Sequence, residues 1–125
     1  MNGAGVTGMV LMTLTLALAA CSGAGETRTR AVPSGDPARG LEIMREAGCG
    51  ACHDIPGLDW PRGQVGPPLH GMGERALIGS GLPNRPETLI PYLMNAPAVD
   101  PGSAMPPMPI TEEEARDVAA WLYEH

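Results

Sequence analysis

Cys49-Gly50-Ala51-Cys52-His53 is the stretch that decides how this chain is read. Two thiols separated by two residues and followed at once by an imidazole form the C-x-x-C-H pattern of c-type haem attachment. The chemistry fits the spacing. Both cysteines lie on one turn of chain and reach the two vinyl groups of a porphyrin. The next residue then falls beneath the iron, where a ring nitrogen can bind it. Thioether links resist reduction, so such a group stays in place even in a small, open protein. Three other readings of C-x-x-C stand beside this one. A redox disulfide of the thioredoxin kind belongs to a βαβ pattern, which is missing here. Zinc wants four ligands, and apart from His53 only His70 and His125 offer nitrogen, with no second C-x-x-C. A chance match in an exported chain is the third.

Composition points the same way. The chain has 125 residues, room for one domain. Apolar residues make up 43%, but aromatics only 3%, with no Phe. The 17 Gly and 14 Pro predict many turns and short helices. A domain this small usually needs a disulfide, metal or cofactor to hold it, and a bound planar group would supply the missing interior. The eight basic residues are all Arg, and 14 acids bring the net charge to −6. Nucleic-acid binding needs a basic face, so that class is excluded. Such acidity suits a soluble protein steered electrostatically to its partner.

Residues 1–25 carry no charged side chain, and Met9 to Ala20 is an apolar run. Its length suits a signal-peptide core better than a membrane span of about 20 residues. The run ends in Leu18-Ala19-Ala20-Cys21-Ser22, which resembles the lipobox of bacterial lipoproteins, where the cysteine is lipidated and becomes the new N-terminus. The segment before it departs from that pattern in lacking Lys and Arg. Ordinary secretory cleavage near Ala20 and an uncleaved anchor are the alternatives. Three thiols cannot pair off within an exported chain. Assigning Cys21 to lipid leaves Cys49 and Cys52 as a local pair. The expected organisation is a lipoprotein-type signal peptide over 1–20, a lipid-attached flexible tether over 21–35, and a folded domain over 36–125. The protein is then exported and held at the periplasmic face of a bacterial membrane.

Within the body, Asp36 can cap a first helix that Pro37 opens. Ala38, Leu41, Met44 and Ala47 recur at helical spacing, and Gly48 is placed to end the helix. Thr111 and Glu114 form a capping box for the last helix, whose stripe is Ala115, Val118, Ala119 and Leu122, with Trp121 beside it. A third helix is predicted around Glu87 to Asn95 with Leu89, Tyr92 and Leu93 inward. Pro91 should make it short, late-starting or kinked. No alternating run is long enough for a sheet, and there is no internal repeat.

From Gly48 onward the chain resembles a class I, monohaem cytochrome c. It is especially similar to the small bacterial domains found free or attached to oxidases and dehydrogenases. The likeness covers Asp36 to His125. It is carried by GCGACHDIPG, VGPPLHGMGERALIGSGLPN, ETLIPYL, DPGSAMPPMPI and TEEEARDVAAWL, in that order. The resemblance implies an all-α cytochrome c fold, with three to five short helices and Gly/Pro-rich loops around one covalent haem c. The first and last helices would cross near Gly40 and Trp121. Cys49 and Cys52 would form the thioethers and His53 would be the proximal axial ligand. Pro67 would accept a hydrogen bond from the His53 ring through its carbonyl, fixing the tautomer. Arg75 and Ser103 fall where relatives contact a propionate, and Tyr92 falls near the axial sulfur. Asn84 stands where some relatives have Trp, which leaves one propionate partner open.

The sixth ligand by this likeness is Met105, which precedes Pro106 and follows Pro-Gly-Ser-Ala. Met108, where relatives often carry Leu, is the runner-up. His/Met ligation raises the potential and closes the iron to small ligands. His70 as a ligand would give bis-His iron. Its alternative is a structural hydrogen bond to a loop carbonyl. His125 is expected in solvent. The implied function is that of a one-electron carrier in a respiratory chain, a monomer and not an enzyme. Its partners would be proteins such as a terminal oxidase, a quinol:cytochrome c reductase or a dehydrogenase. A fixed subunit of a larger complex, or an open-site haem sensor or peroxidase, are the rival functions.

Overall fold

Helix α1 (Pro37–Glu46) begins as its first residues dictate. Asp36 Oδ1 accepts from the amides of Ala38 and Arg39 at 3.0 and 3.2 Å, and Pro37 occupies a position whose N–H would go unused. Gly48, at φ 75°, turns the chain out of the helix into the short turn that carries the cysteines. This computed structural model describes residues 30–125. The expected signal peptide, Cys21 and most of the expected tether lie outside the described residues.

Helix α4 (Glu112–Glu124) shows the capping box in full. Thr111 Oγ1 accepts from the Glu114 amide at 3.2 Å, and Glu114 Oε2 accepts from the Thr111 amide at 2.8 Å. Three glutamates in the first turn favour the positive end of the helix dipole. The helix buries Ala115, Val118, Ala119, Leu122 and Tyr123. It packs against α1, against α2 (Pro86–Met94) and against the Met72–Glu74 turn.

The crossing of α1 and α4 lies one turn earlier on α4 than expected. A Cβ on Gly40 would come within 2.1 Å of the Asp117 carbonyl oxygen and 3.0 Å of the Val118 nitrogen. Backbones meet there because neither helix places a bulky group between them. The Trp121 indole cannot occupy such a point. It packs instead beside Gly57 and stacks on His125 at 3.5 Å. His125 is exposed, as expected, and stacks on the indole from the solvent side. Its Nδ1 donates to the Trp121 carbonyl at 2.9 Å.

Helix α2 starts at Pro86, earlier than expected, because proline is tolerated at a helix start. Pro91 sits within it on an exposed face and removes one hydrogen bond from the helix ladder. Leu89 and Ile90 are buried, while Tyr92 and Leu93 are half-buried. A one-turn helix α3 (Ala96–Val99) follows, capped by Asn95. Between α1 and α2 the chain forms one element the sequence pattern did not reveal. β1 (Leu77–Ile78) pairs antiparallel with β2 (Leu82–Pro83), with Leu77 opposite Pro83 and Ile78 opposite Leu82. Two residues per strand are too few to show alternation.

The start of the packed region also differs from the expected boundary at 36. Val32 packs on the hydrophobic core, and Gly35 lies so close to α4 that a Cβ would come within 2.8 Å of the Ala120 Cβ. Arg30 lies over the Tyr123 ring, 5.6 Å from its centroid, and donates to the Gly73 carbonyl. Val32, flanked by Ala31 and Pro33, docks this segment where Gly35 permits close approach to α4. The segment 30–35 thus belongs with the body rather than with a free tether.

Gly40→Ala should lower stability by about 1–3 kcal/mol through overpacking. The same change in an uncrowded helix interior would gain ~0.5–1 kcal/mol. Denaturant unfolding of the purified protein checks this, and an unchanged or higher midpoint would remove the crossing from the account.

Candidate functional site

Around the Cys49–His53 turn, a second segment, residues 63–69, runs alongside as a strap. Gly63, Gly66 and Leu69 donate their amides to the carbonyls of Gly50, Cys52 and Asp54, each at 2.8 Å. This brings the Pro67 carbonyl to 2.7 Å from His53 Nδ1. A carbonyl can only accept, so Nδ1 carries a proton, and in the neutral ring Nε2 is the nitrogen with the lone pair. Gly66 makes the arrangement sterically feasible. A Cβ there would come within 2.3 Å of the His53 Cε1.

His53 lines a cleft of about 790 Å³. That volume lies in the roughly 300–1,000 Å³ range of cofactor sites. Its walls are mostly apolar, with Met44, Leu69, Met72, Leu89, Val118 and Leu122 reaching it from the core. Cys49 and Cys52 border it too. Cys49 is half-buried, and burial pushes its thiol above the ordinary range, with the Cys52 charge adding to the rise. Cys52 is exposed. Met105 and Met108 line the same cleft. The residues present therefore fit a haem. There is an apolar slot, two thiols at its border, an imidazole with a fixed tautomer, and thioether sulfurs in the lining.

The loop bearing the methionines is held by side chains from elsewhere. Ser103 Oγ accepts from the Met105 amide at 3.2 Å and lies 3.0 Å from the Tyr92 hydroxyl. Tyr92, Ser103 and Met105 are thus brought together, all lining the cleft. The Met108 amide is spent on the Met94 carbonyl at the end of α2, at 2.9 Å. Asp100 is a residue that sequence reasoning missed. It is buried and accepts from the Ser80 amide and hydroxyl, both at 2.8 Å. These bonds, led by the Ser80 amide, hold its carboxyl below the usual range. They fasten the methionine loop to the β1–β2 turn. The signal was its place at the start of the DPGSAM stretch.

Asn84 and His70 stand elsewhere. Asn84 is buried outside the cleft lining. Its amide donates to the Met72 and Arg75 carbonyls at 2.8 and 3.0 Å, and its oxygen accepts from the Tyr123 hydroxyl at 3.1 Å. Its hydrogen bonds are spent on holding the 72–75 turn, not on reaching a propionate. Burial pushes the Tyr123 hydroxyl up to about 12, so it stays a donor. Arg75 does border the cleft, and its Nη2 also donates to the Pro68 and His70 carbonyls at 2.6 and 2.9 Å. His70 lies outside the lining, and its Nε2 meets the Asp54 carboxylate at 3.4 Å rather than a loop carbonyl.

Gly66→Ala should displace the His53 ring and sharply reduce the yield of protein with a normal haem spectrum. Gly71→Ala is the control, since a Cβ there meets nothing within 4 Å. It should cost only backbone strain, about 1–2 kcal/mol, and leave the spectrum intact. Equal spectra from the two variants would contradict the steric reading.

The Cytochrome c family model matches residues 37–125 of this chain. Cytochrome c-551 of Ectopseudomonas mendocina is 31% identical over 86 residues, covering 68% of this chain and 95% of that protein. The cleft, its paired thiols and this match along the whole helical body agree. The chain belongs to the cytochrome c family, as a class I protein that binds one covalent haem c.

Proposed function

We propose that the protein is a one-electron carrier of a respiratory chain, with its iron held between His53 and Met105. The observation that carries this reading is the 2.7 Å contact between His53 Nδ1 and the Pro67 carbonyl. It leaves Nε2 as the ring's lone-pair nitrogen in a cleft that Met105 also lines. Haem, when bound, supplies an iron that takes up and gives back one electron.

The chain's own residues do the rest. Cys49 and Cys52 hold the group covalently. Pro67 fixes the imidazole. The apolar lining keeps water from the iron, which limits how far surrounding dipoles must rearrange when the charge changes. Met105 is favoured over Met108 because its amide is bonded to Ser103, which lies against the Tyr92 hydroxyl. That hydroxyl is placed near the segment whose sulfur would bind the iron. Arg75 borders the cleft and is the cation available to a propionate. No acid–base residue is needed, because no bond is made or broken in the partner.

The same reading places the protein outside the cytoplasm, anchored through lipid on Cys21 at the periplasmic face. Among the described residues no helix is long and apolar enough to cross a membrane. A tether raises the local concentration of any partner in the same membrane. Those partners are redox proteins such as a terminal oxidase, a quinol:cytochrome c reductase or a dehydrogenase.

Met105→Ala should abolish the weak sulfur-to-iron absorption band of the ferric protein and let the ferrous protein bind carbon monoxide. Met108→Ala should keep the band. The opposite pattern would reassign the ligand. Mass measurement of the mature protein should show one haem and an N-terminal acylated Cys21. An unacylated chain beginning at another residue would remove the anchor.

A further inference from the structure

Asp54 follows His53 directly, and its side chain gathers two partners from the two ends of the strap. The Arg62 guanidinium takes both carboxylate oxygens, Nε to Oδ1 at 2.9 Å and Nη2 to Oδ2 at 2.8 Å. His70 Nε2 lies 3.4 Å from Oδ2. Arg62 precedes the strap and His70 follows it, so both ends are tied to the residue beside the axial imidazole. Between them lies Pro67, whose carbonyl meets the His53 ring.

The cluster contributes little to stability. The side chains of Arg62, His70 and Asp54 are 61%, 52% and 25% exposed, and exposed ion pairs contribute only ~0–1 kcal/mol. A two-pronged arginine–carboxylate contact is nonetheless geometrically specific. It joins the residue before the strap to the residue after His53, alongside the three backbone hydrogen bonds between strap and turn.

We propose that Asp54 and Arg62 are positioning residues for the axial imidazole, holding the Pro67 carbonyl on the His53 N–H and thereby lowering the reduction potential. The proposal rests on His53 being an iron ligand. An imidazole that donates a firm hydrogen bond is a more basic ligand. A more basic ligand favours ferric over ferrous iron, and hydrogen bonding around the ligands is one of the protein's levers on haem potential.

Charge and geometry make opposite predictions at Arg62. Removing a nearby cation by electrostatics alone lowers the potential, because ferric iron is then less disfavoured. Loosening the strap raises it. The test is an equilibrium redox titration of haem-loaded Asp54→Asn, Arg62→Gln and Arg62→Lys, with NMR exchange rates of the His53 ring N–H. Positioning predicts that Asp54→Asn and Arg62→Gln both shift the potential upward, with faster exchange of the ring proton. Arg62→Lys keeps the charge but not the two-pronged contact, so it should fall between wild type and Arg62→Gln. A downward or absent shift in Arg62→Gln overturns the proposal. So does a wild-type potential in Arg62→Lys, which decides the matter should the glutamine variant fail to take up haem. Failure of the axial assignment itself would show separately, as a spectrum without histidine–methionine ligation in the unsubstituted protein, and would overturn the proposal with it.

Discussion

The structure depends on how closely the strap 63–69 lies against the turn that carries Cys49, Cys52 and His53. Three backbone hydrogen bonds of 2.8 Å draw the two segments together. Their approach leaves no room for side chains between them. A Cβ on Gly63 would come within 2.4 Å of the Ala51 oxygen, as one on Gly66 would strike the His53 ring. These glycines give up helix and strand propensity in exchange for contact between backbones. The return is a carbonyl aimed at one ring nitrogen, which commits the other to the cleft. The ring's tautomer is decided by a backbone carbonyl.

A second constraint concerns the interior. With four aromatic residues in the chain and no Phe, the buried core is built from Ile, Leu, Met, Val and Ala, with Tyr123 its one aromatic among the described residues. Several of these, among them Met44, Met72, Leu89, Val118 and Leu122, also line the cleft. The core and the cofactor site are therefore one apolar surface seen from two sides. The loops at 63–69, 76–84 and 101–110 carry no Asp, Glu, Arg or Lys. The acidic charge falls instead on α1, α4 and the segments between the cleft loops. From there it shapes the long-range field, while the charged residues of the lining include Arg75 and Asp100, held by hydrogen bonds to the Pro68 and His70 carbonyls and to Ser80.

The features legible in the sequence were those fixed by neighbours along the chain. Asp36 with Pro37, and Thr111 with Glu114, declare helix starts because capping is a contact over two or three residues. C-x-x-C-H is likewise local. The β1–β2 ladder was not legible, since two residues per strand give no period. Nor was the docking of Val32, which sits in a short Ala-Val-Pro-Ser-Gly stretch with no helical or strand period. Asp100 looks like an ordinary loop residue until the fold brings Ser80 to it, and the bonds of Asn84 to Tyr123 and of Arg75 to the Pro68 carbonyl join residues that no local pattern relates. The crossing point on α4 was misplaced because Trp121 is the most conspicuous residue of that helix. What the crossing needs is the least conspicuous surface, a bare backbone at Asp117 facing Gly40.

Helix α4 unites these parts. Asp117 accepts from the Asp36 amide at 2.8 Å and so joins the start of α1 to the last helix. Val118 and Leu122 line the cleft, and Tyr123 supports the 72–75 turn through Asn84. One helix thus closes the fold, lines the cofactor site and props the segment from which Arg75 reaches the strap. A bound group that removes the cleft's apolar lining from water stabilises the native state alone, since the unfolded chain has no cleft to offer. Covalent attachment makes that contribution permanent. A chain of this size with so little interior of its own can then keep its first and last helices crossed with no disulfide among the described residues.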